Sequence, residues 1–165
     1  MSTESAKTYT GFFGNLQRAH ARIEERLQVL EGAADSLADP ARAPAALEAM
    51  ASVLDFFATF GVQHQEDEEK TLFPRLRPLP AFAKMLDAFD FQHRMADTEQ
   101  SALAARVRDF AAGGESDLRS LAHRFVEVQR AHILAEERGL FPLAEKTLPR
   151  RVLAEMDLEL RVPNA

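Results

Sequence analysis

Cysteine and tryptophan are absent from this 165-residue chain, and it has a single tyrosine. Without cysteine there can be no disulfide, no thiolate metal site and no thiol nucleophile, so any redox chemistry must rest on other side chains. No run approaches the eighteen or more consecutive apolar residues of a membrane span, and Met1 to Thr10 lacks the basic-then-apolar order of a secretory signal. These absences predict a soluble cytoplasmic protein with no membrane partner. Basic charge is also scarce. Twenty Lys and Arg against 26 Asp and Glu give a net charge of −6 and a pI near 5.4, which works against binding the phosphate backbone of a nucleic acid. The length fits one domain over 1–165, and a domain of this size buries roughly 70% of the surface that its unfolded chain exposes.

What is present is helical periodicity. Apolar residues recur three and four apart in four stretches, and the helix breakers fall between them. The first stretch runs from about Gly11 to Leu37, with Phe13, Leu16, Ile23, Leu27 and Leu30 on one stripe and His20 within it. Asp39 and Pro40 break the chain, and Pro44 suits the first turn of a second helix. Its stripe passes through Met50, Val53, Phe57, Phe60, His64 and Glu68. After Pro74, Pro78 and Pro80 a third helix carries Phe82, Leu86, Phe89, His93, Leu103 and Val107, and Gly113 and Gly114 end it. The fourth, with Ser116 as N-cap, runs through Leu118, Phe125, Val128, His132 and Glu136. Four long helices with short connections predict an all-α, antiparallel up-down-up-down bundle over about 11–147. A short amphipathic helix over about 149–161 follows Pro149.

Inside this pattern an eleven-residue motif occurs twice, His-x-x-x-Glu-Glu-x-x-Leu-Phe-Pro. It appears as His64, Glu68, Glu69, Leu72, Phe73, Pro74 and, 68 residues on, as His132, Glu136, Glu137, Leu140, Phe141, Pro142. Helical residues four apart lie one above the other, so each copy offers an imidazole and a carboxylate to one point inside the bundle. His64 and His132 each stand ten residues before a proline. At ~1.5 Å per residue this puts both about 15 Å from the expected helix ends, at one level. His20 and His93, in the first halves of the oppositely directed helices, come toward the same layer. Four imidazoles and two carboxylates suit a pair of cations ~3.5–4 Å apart, bridged by the carboxylates and still open to an outside ligand. Mixed nitrogen and oxygen donors favour iron or manganese over zinc.

The order His20, His64-x-x-x-Glu68 with Leu72-Phe73-Pro74, His93, His132-x-x-x-Glu136 with Leu140-Phe141-Pro142 resembles the hemerythrin-like (HHE) cation-binding domain over about residues 12 to 146. The resemblance implies two irons, with Glu68 and Glu136 bridging, His20 and His64 on one metal and His93 and His132 on the other. It also implies a small diatomic or peroxide ligand. Oxygen-carrying hemerythrins carry a further histidine four residues after that of the third helix, where this chain has Asp97, and an aspartate as last bridge, where it has Glu136-Glu137. Stable dioxygen carriage is therefore not implied. Three readings follow: a module that binds or senses dioxygen, nitric oxide or reactive oxygen species, a di-iron enzyme consuming peroxide or nitric oxide or acting in iron–sulfur cluster repair, and an iron-responsive interaction protein. Relatives of the repair type usually carry an N-terminal cysteine-bearing domain, and this chain has no cysteine. Manganese or a mixed pair is the alternative metal, and a homodimer is compatible with every reading.

Each residue also has a plainer role. A lone histidine on an apolar stripe is most often a hydrogen-bonded core or boundary residue. What separates His20, His64, His93 and His132 from that case is that two glutamates share their layer, and buried carboxylates are rare without a cation or partner. His123, nine residues before His132, faces the other side of its helix and is expected at the surface. Asp97 stands as a ligand, as an acceptor for an imidazole, or as a polar residue beside the stripe. Glu66, Asp67 and Glu69 read as a solvated acidic face, Glu137 as a weak competitor of Glu136, and Leu-Phe-Pro as core packing with a helix stop. Ferritin-like sites need Glu-x-x-His, and no histidine here has glutamate three residues before it.

Overall fold

The computed structural model describes residues 8–112 and 117–160. The expected helix end at Gly113 and Gly114 and the Ser116 N-cap lie outside the described residues. Within them the chain is all-helical, with no strand. Helix α1 spans Gly11–Ser36, α2 Ala43–Leu76, α3 Ala83–Ala111, α4 residues 118–147 and the short α5 Arg150–Glu159. The α1–α2 connection is built by Asp39, whose carboxylate accepts the Ala41 N–H at 2.9 Å and pairs with the Arg42 guanidinium at 2.8 Å. Pro44 then occupies the first turn of α2, where its missing N–H is not needed.

Two expectations are corrected. Pro74 and Pro142 do not stop their helices, which continue to Leu76 and Thr147. The reason lies in the preceding five residues, Glu68–Leu72 and Glu136–Leu140, which form π-helical turns. There the Phe73 and Phe141 N–H groups reach back five residues to the Glu68 and Glu136 carbonyls. The widened turn restarts the α-helical register, so each proline sits in the first turn of a new segment, where its ring and lack of a donor cost little. A third π turn, Phe57–Gly61, widens α2 one turn before His64.

The second correction concerns apolarity. By mean hydropathy, 1.5 over eighteen residues, α2 does reach the level of a membrane-crossing helix in length and composition. Met50, Val53, Leu54 and Phe57 of this stretch nevertheless pack into the protein's own core.

Helix α1 packs against α2 and α4, α3 packs against the same two, and α5 lies across α1 and the end of α2. Burial falls into two apolar clusters. One gathers Ile23, Leu27, Leu30, Met50, Val53, Phe57, Leu103, Phe125 and Val126. The other gathers Tyr9, Phe12, Phe13, Phe73, Phe82, Phe89, Phe141 and Met156. Between the stretches of α1 and α2 that feed the two clusters stand His20, His64 and Glu68, and His93 and Glu136 hold the same place on α3 and α4. All five are buried, with 6% exposure or less.

Candidate metal centre

The helical spacing of His64 and Glu68 brings His64 Nε2 to 3.2 Å from Glu68 Oε1, and the second copy brings His132 Nε2 to 3.3 Å from Glu136 Oε1. The other two helices complete the layer. His20 Nε2 lies 3.1 Å from Glu136 Oε2, and His93 Nε2 lies 3.4 Å from Glu68 Oε2 and 3.2 Å from His132 Nε2. All four imidazoles thus turn Nε2 inward. Their donor atoms form two groups of four, His20, His64, Glu68, Glu136 and Glu68, His93, His132, Glu136, each with its atoms within 4.8 Å of one another. Both glutamates are common to the two groups, and each group has its own histidine pair. The six residues singled out in the sequence are therefore in one place.

Whether cations suit this layer can be judged from its unmet polarity. Both carboxylate oxygens of Glu68 and of Glu136 are buried with no hydrogen-bond partner, as is His20 Nε2. An unpaired buried carboxylate is costly by several kcal/mol, and two in one layer are intelligible when cations take their lone pairs. The neutral imidazole and carboxylate donors match the preferences of iron and manganese.

Protons show the same demand for positive charge. Burial opposes protonation of His20, but the nearby carboxylates of Glu136, Glu137 and Glu68 outweigh it and hold the imidazole well above its usual value. At His93 burial is likewise outweighed, by Glu68, Glu69 and Glu136, and the value rises to about 9. His64 and His132 go the other way, to about 4 and about 3, because burial dominates and neighbouring imidazoliums add to it. Burial would raise Glu68, but His64, His20 and His93 hold it well below the usual carboxylate range. Glu136 is pushed up to about 7 by burial and by the charge of Glu68. The layer holds two carboxylates against imidazoliums, and cations would take the place of those protons.

Three of the four outward Nδ1 atoms have partners that the sequence reading missed. His93 Nδ1 lies 2.7 Å from Glu69, His20 Nδ1 2.9 Å from Glu137, and His132 Nδ1 2.8 Å from the Gln92 side-chain oxygen. The acidic run is thus no simple solvated face: Glu69 holds an imidazole of another helix, and Asp67 is fully buried. Nor does Glu137 compete with Glu136, since it faces the outer edge of His20. The phenylalanine of each motif goes to the same imidazole as its second glutamate. Phe73 stacks on His93 at 5.7 Å and 13°, and Phe141 on His20 at 5.5 Å and 10°. The signal in the sequence was the Glu-Glu doublet itself, present in both copies, of which only the first member was needed for helical pairing with histidine.

Other candidates fall outside the layer. Asp97 is exposed and belongs to neither group of four. His123, partly exposed, pairs with Asp35 at 3.0 Å. A cavity of about 40 Å³ adjoins the layer, enough for a water or a diatomic molecule. Its wall includes Glu68, His64, His93 and His132 together with Ile23 and Asp97.

Among known protein families, the sequence model of the hemerythrin HHE cation binding domain matches residues 12–144. No curated protein and no solved structure matches the chain significantly.

Proposed function

The chain belongs to the hemerythrin HHE cation-binding family, and we propose that it holds a pair of irons and uses them to bind or sense dioxygen, nitric oxide or a reactive oxygen species. In this reading His20 and His64 would hold one iron, His93 and His132 the other, and Glu68 and Glu136 would serve both. Manganese or a mixed pair is the alternative. The observation that carries the reading is the sharing of both buried glutamates by two histidine pairs. The four long helices are read as an antiparallel bundle. Support comes from their contacts, which link α1 to α2, α2 to α3, α3 to α4 and α4 back to α1, and from their short connections.

A reduced iron pair would supply electrons and an open coordination position to a small ligand. The protein's own part is positional. Glu69, Glu137 and Gln92 accept from the Nδ1–H of their imidazoles, which aims each Nε2 inward as the atom a metal would take. Phe73 and Phe141 close the layer with apolar faces and exclude water. The cavity of about 40 Å³ beside Glu68 suits a small molecule. Turnover of peroxide or nitric oxide is the second reading, favoured by Asp97, an exposed carboxylate in the cavity wall that could pass protons inward.

Elemental analysis of the reconstituted protein is expected to give two irons per chain, with a spectrum that changes when the reduced form meets air or nitric oxide. Steady-state consumption of either substrate would favour the enzyme reading. A fully folded wild-type protein that takes up no metal defeats both.

A further inference from the structure

The two histidine pairs differ in one respect. Each has one imidazole held by a glutamate, His93 by Glu69 and His20 by Glu137. The remaining two are treated unequally. His132 Nδ1 meets the Gln92 oxygen at 2.8 Å, whereas His64 Nδ1 is buried with no partner. The difference is written in the residues that precede the histidines of α1 and α3. Gln92 precedes His93, and Ala19, which has no hydrogen-bonding side chain, precedes His20.

We propose that the two cation positions are unequal, and that the one between His93 and His132 fills first because Gln92 holds His132 in its metal-binding tautomer. The inference rests on the two-metal reading above. An imidazole that gives Nε2 to a metal must carry its proton on Nδ1, and that N–H needs an acceptor when buried. Gln92 supplies one for His132. His64 must bury the same N–H unsatisfied, at a cost that its metal has to offset. An outer acceptor also raises the basicity of the imidazole and fixes its ring, and loss of one typically lowers metal affinity by roughly ten- to hundredfold. The orientation of Gln92 is settled by the same logic. Its oxygen faces His132, so its amide N–H₂ points elsewhere, and the side chain lines the cavity.

Zinc, which is diamagnetic, allows the order of filling to be read directly by nuclear magnetic resonance of the histidine ring nitrogens in the metal-free full chain. One equivalent is expected to shift the signals of His93 and His132 and to leave those of His20 and His64 in their metal-free positions. Gln92→Leu should spread the first equivalent over both pairs, and Gln92→Glu, which keeps an acceptor, should restore the preference. A first equivalent shared evenly in the wild type overturns the proposal, as does a preference that survives Gln92→Leu. Failure of the two-metal reading looks different: no ring-nitrogen signal would respond to zinc at all.

Discussion

The two apolar clusters on either side of the histidine–glutamate layer are made of different material. On the side of α5 the core is aromatic, with Tyr9, Phe12, Phe13, Phe73, Phe82, Phe89 and Phe141 buried together. On the other side the buried rings among the described residues are Phe57 and Phe125, edge to face at 5.0 Å, among leucines, valines and alanines. The aromatic side reaches the imidazoles themselves, since Phe141 and Phe73 lie flat against His20 and His93. The cavity lies toward the other cluster, beside Ile23, Phe57 and Ile133. One half of the molecule covers two of the imidazoles with rings, and the other half borders the cavity.

That contrast can be broken hardest at the layer between the halves. His64→Ala or Glu136→Ala is expected to abolish metal binding almost completely, by elemental analysis, while circular dichroism still reports a helical protein. Retention of two metals by either variant would remove those residues from the site.

A paired truncation compares the halves directly. Phe141→Ala and Phe125→Ala should each destabilise the metal-free protein by about 3–5 kcal/mol in denaturant unfolding, the usual cost of a buried ring. Only Phe141→Ala should also weaken the metal in a chelator competition, because only that ring lies against a ligand. Equal metal affinities in the two variants would show that the aromatic face is packing alone.

Acidity offers a milder perturbation. His93 has its folded value raised to about 9 from an unfolded value of about 6.5. The stability it contributes is fully present below about pH 6.5 and is lost as the pH rises through 9. His20, raised as well, acts in the same direction. The melting temperature of the metal-free protein should therefore fall between pH 6.5 and 9. Metal affinity should rise over that interval, because the ligand is the deprotonated imidazole. A flat metal-free melting curve would contradict the charge balance derived for the layer.

The smallest effect is expected at His123, which sits on α4 like His132 but faces Asp35 at the surface. His123→Ala should change stability by no more than about 0.5 kcal/mol and leave metal content untouched. A clear loss of metal there would mean that burial is a poor guide to which histidines matter in this fold.

The sequence alone determined which residues could meet. Apolar residues at helical spacing define four stripes, and His-x-x-x-Glu on such a stripe brings an imidazole and a carboxylate together by helix geometry, as His64 with Glu68 and His132 with Glu136 show. Those relations are local, so 3.6 residues per turn suffice to read them. What only the tertiary structure decided is everything that crosses between helices: that Glu69 and Glu137 hold His93 and His20, that Gln92 reaches His132 while His64 has no such partner, and that Phe73 and Phe141 lie on the two imidazoles. Such contacts depend on the rotation of each helix about its axis. Here that rotation is reset by π turns before Pro74 and Pro142, which a reading of proline as a helix stop does not foresee. A single inserted residue turns the following segment by about 100°, and no spacing rule within one helix specifies where its neighbour will stand.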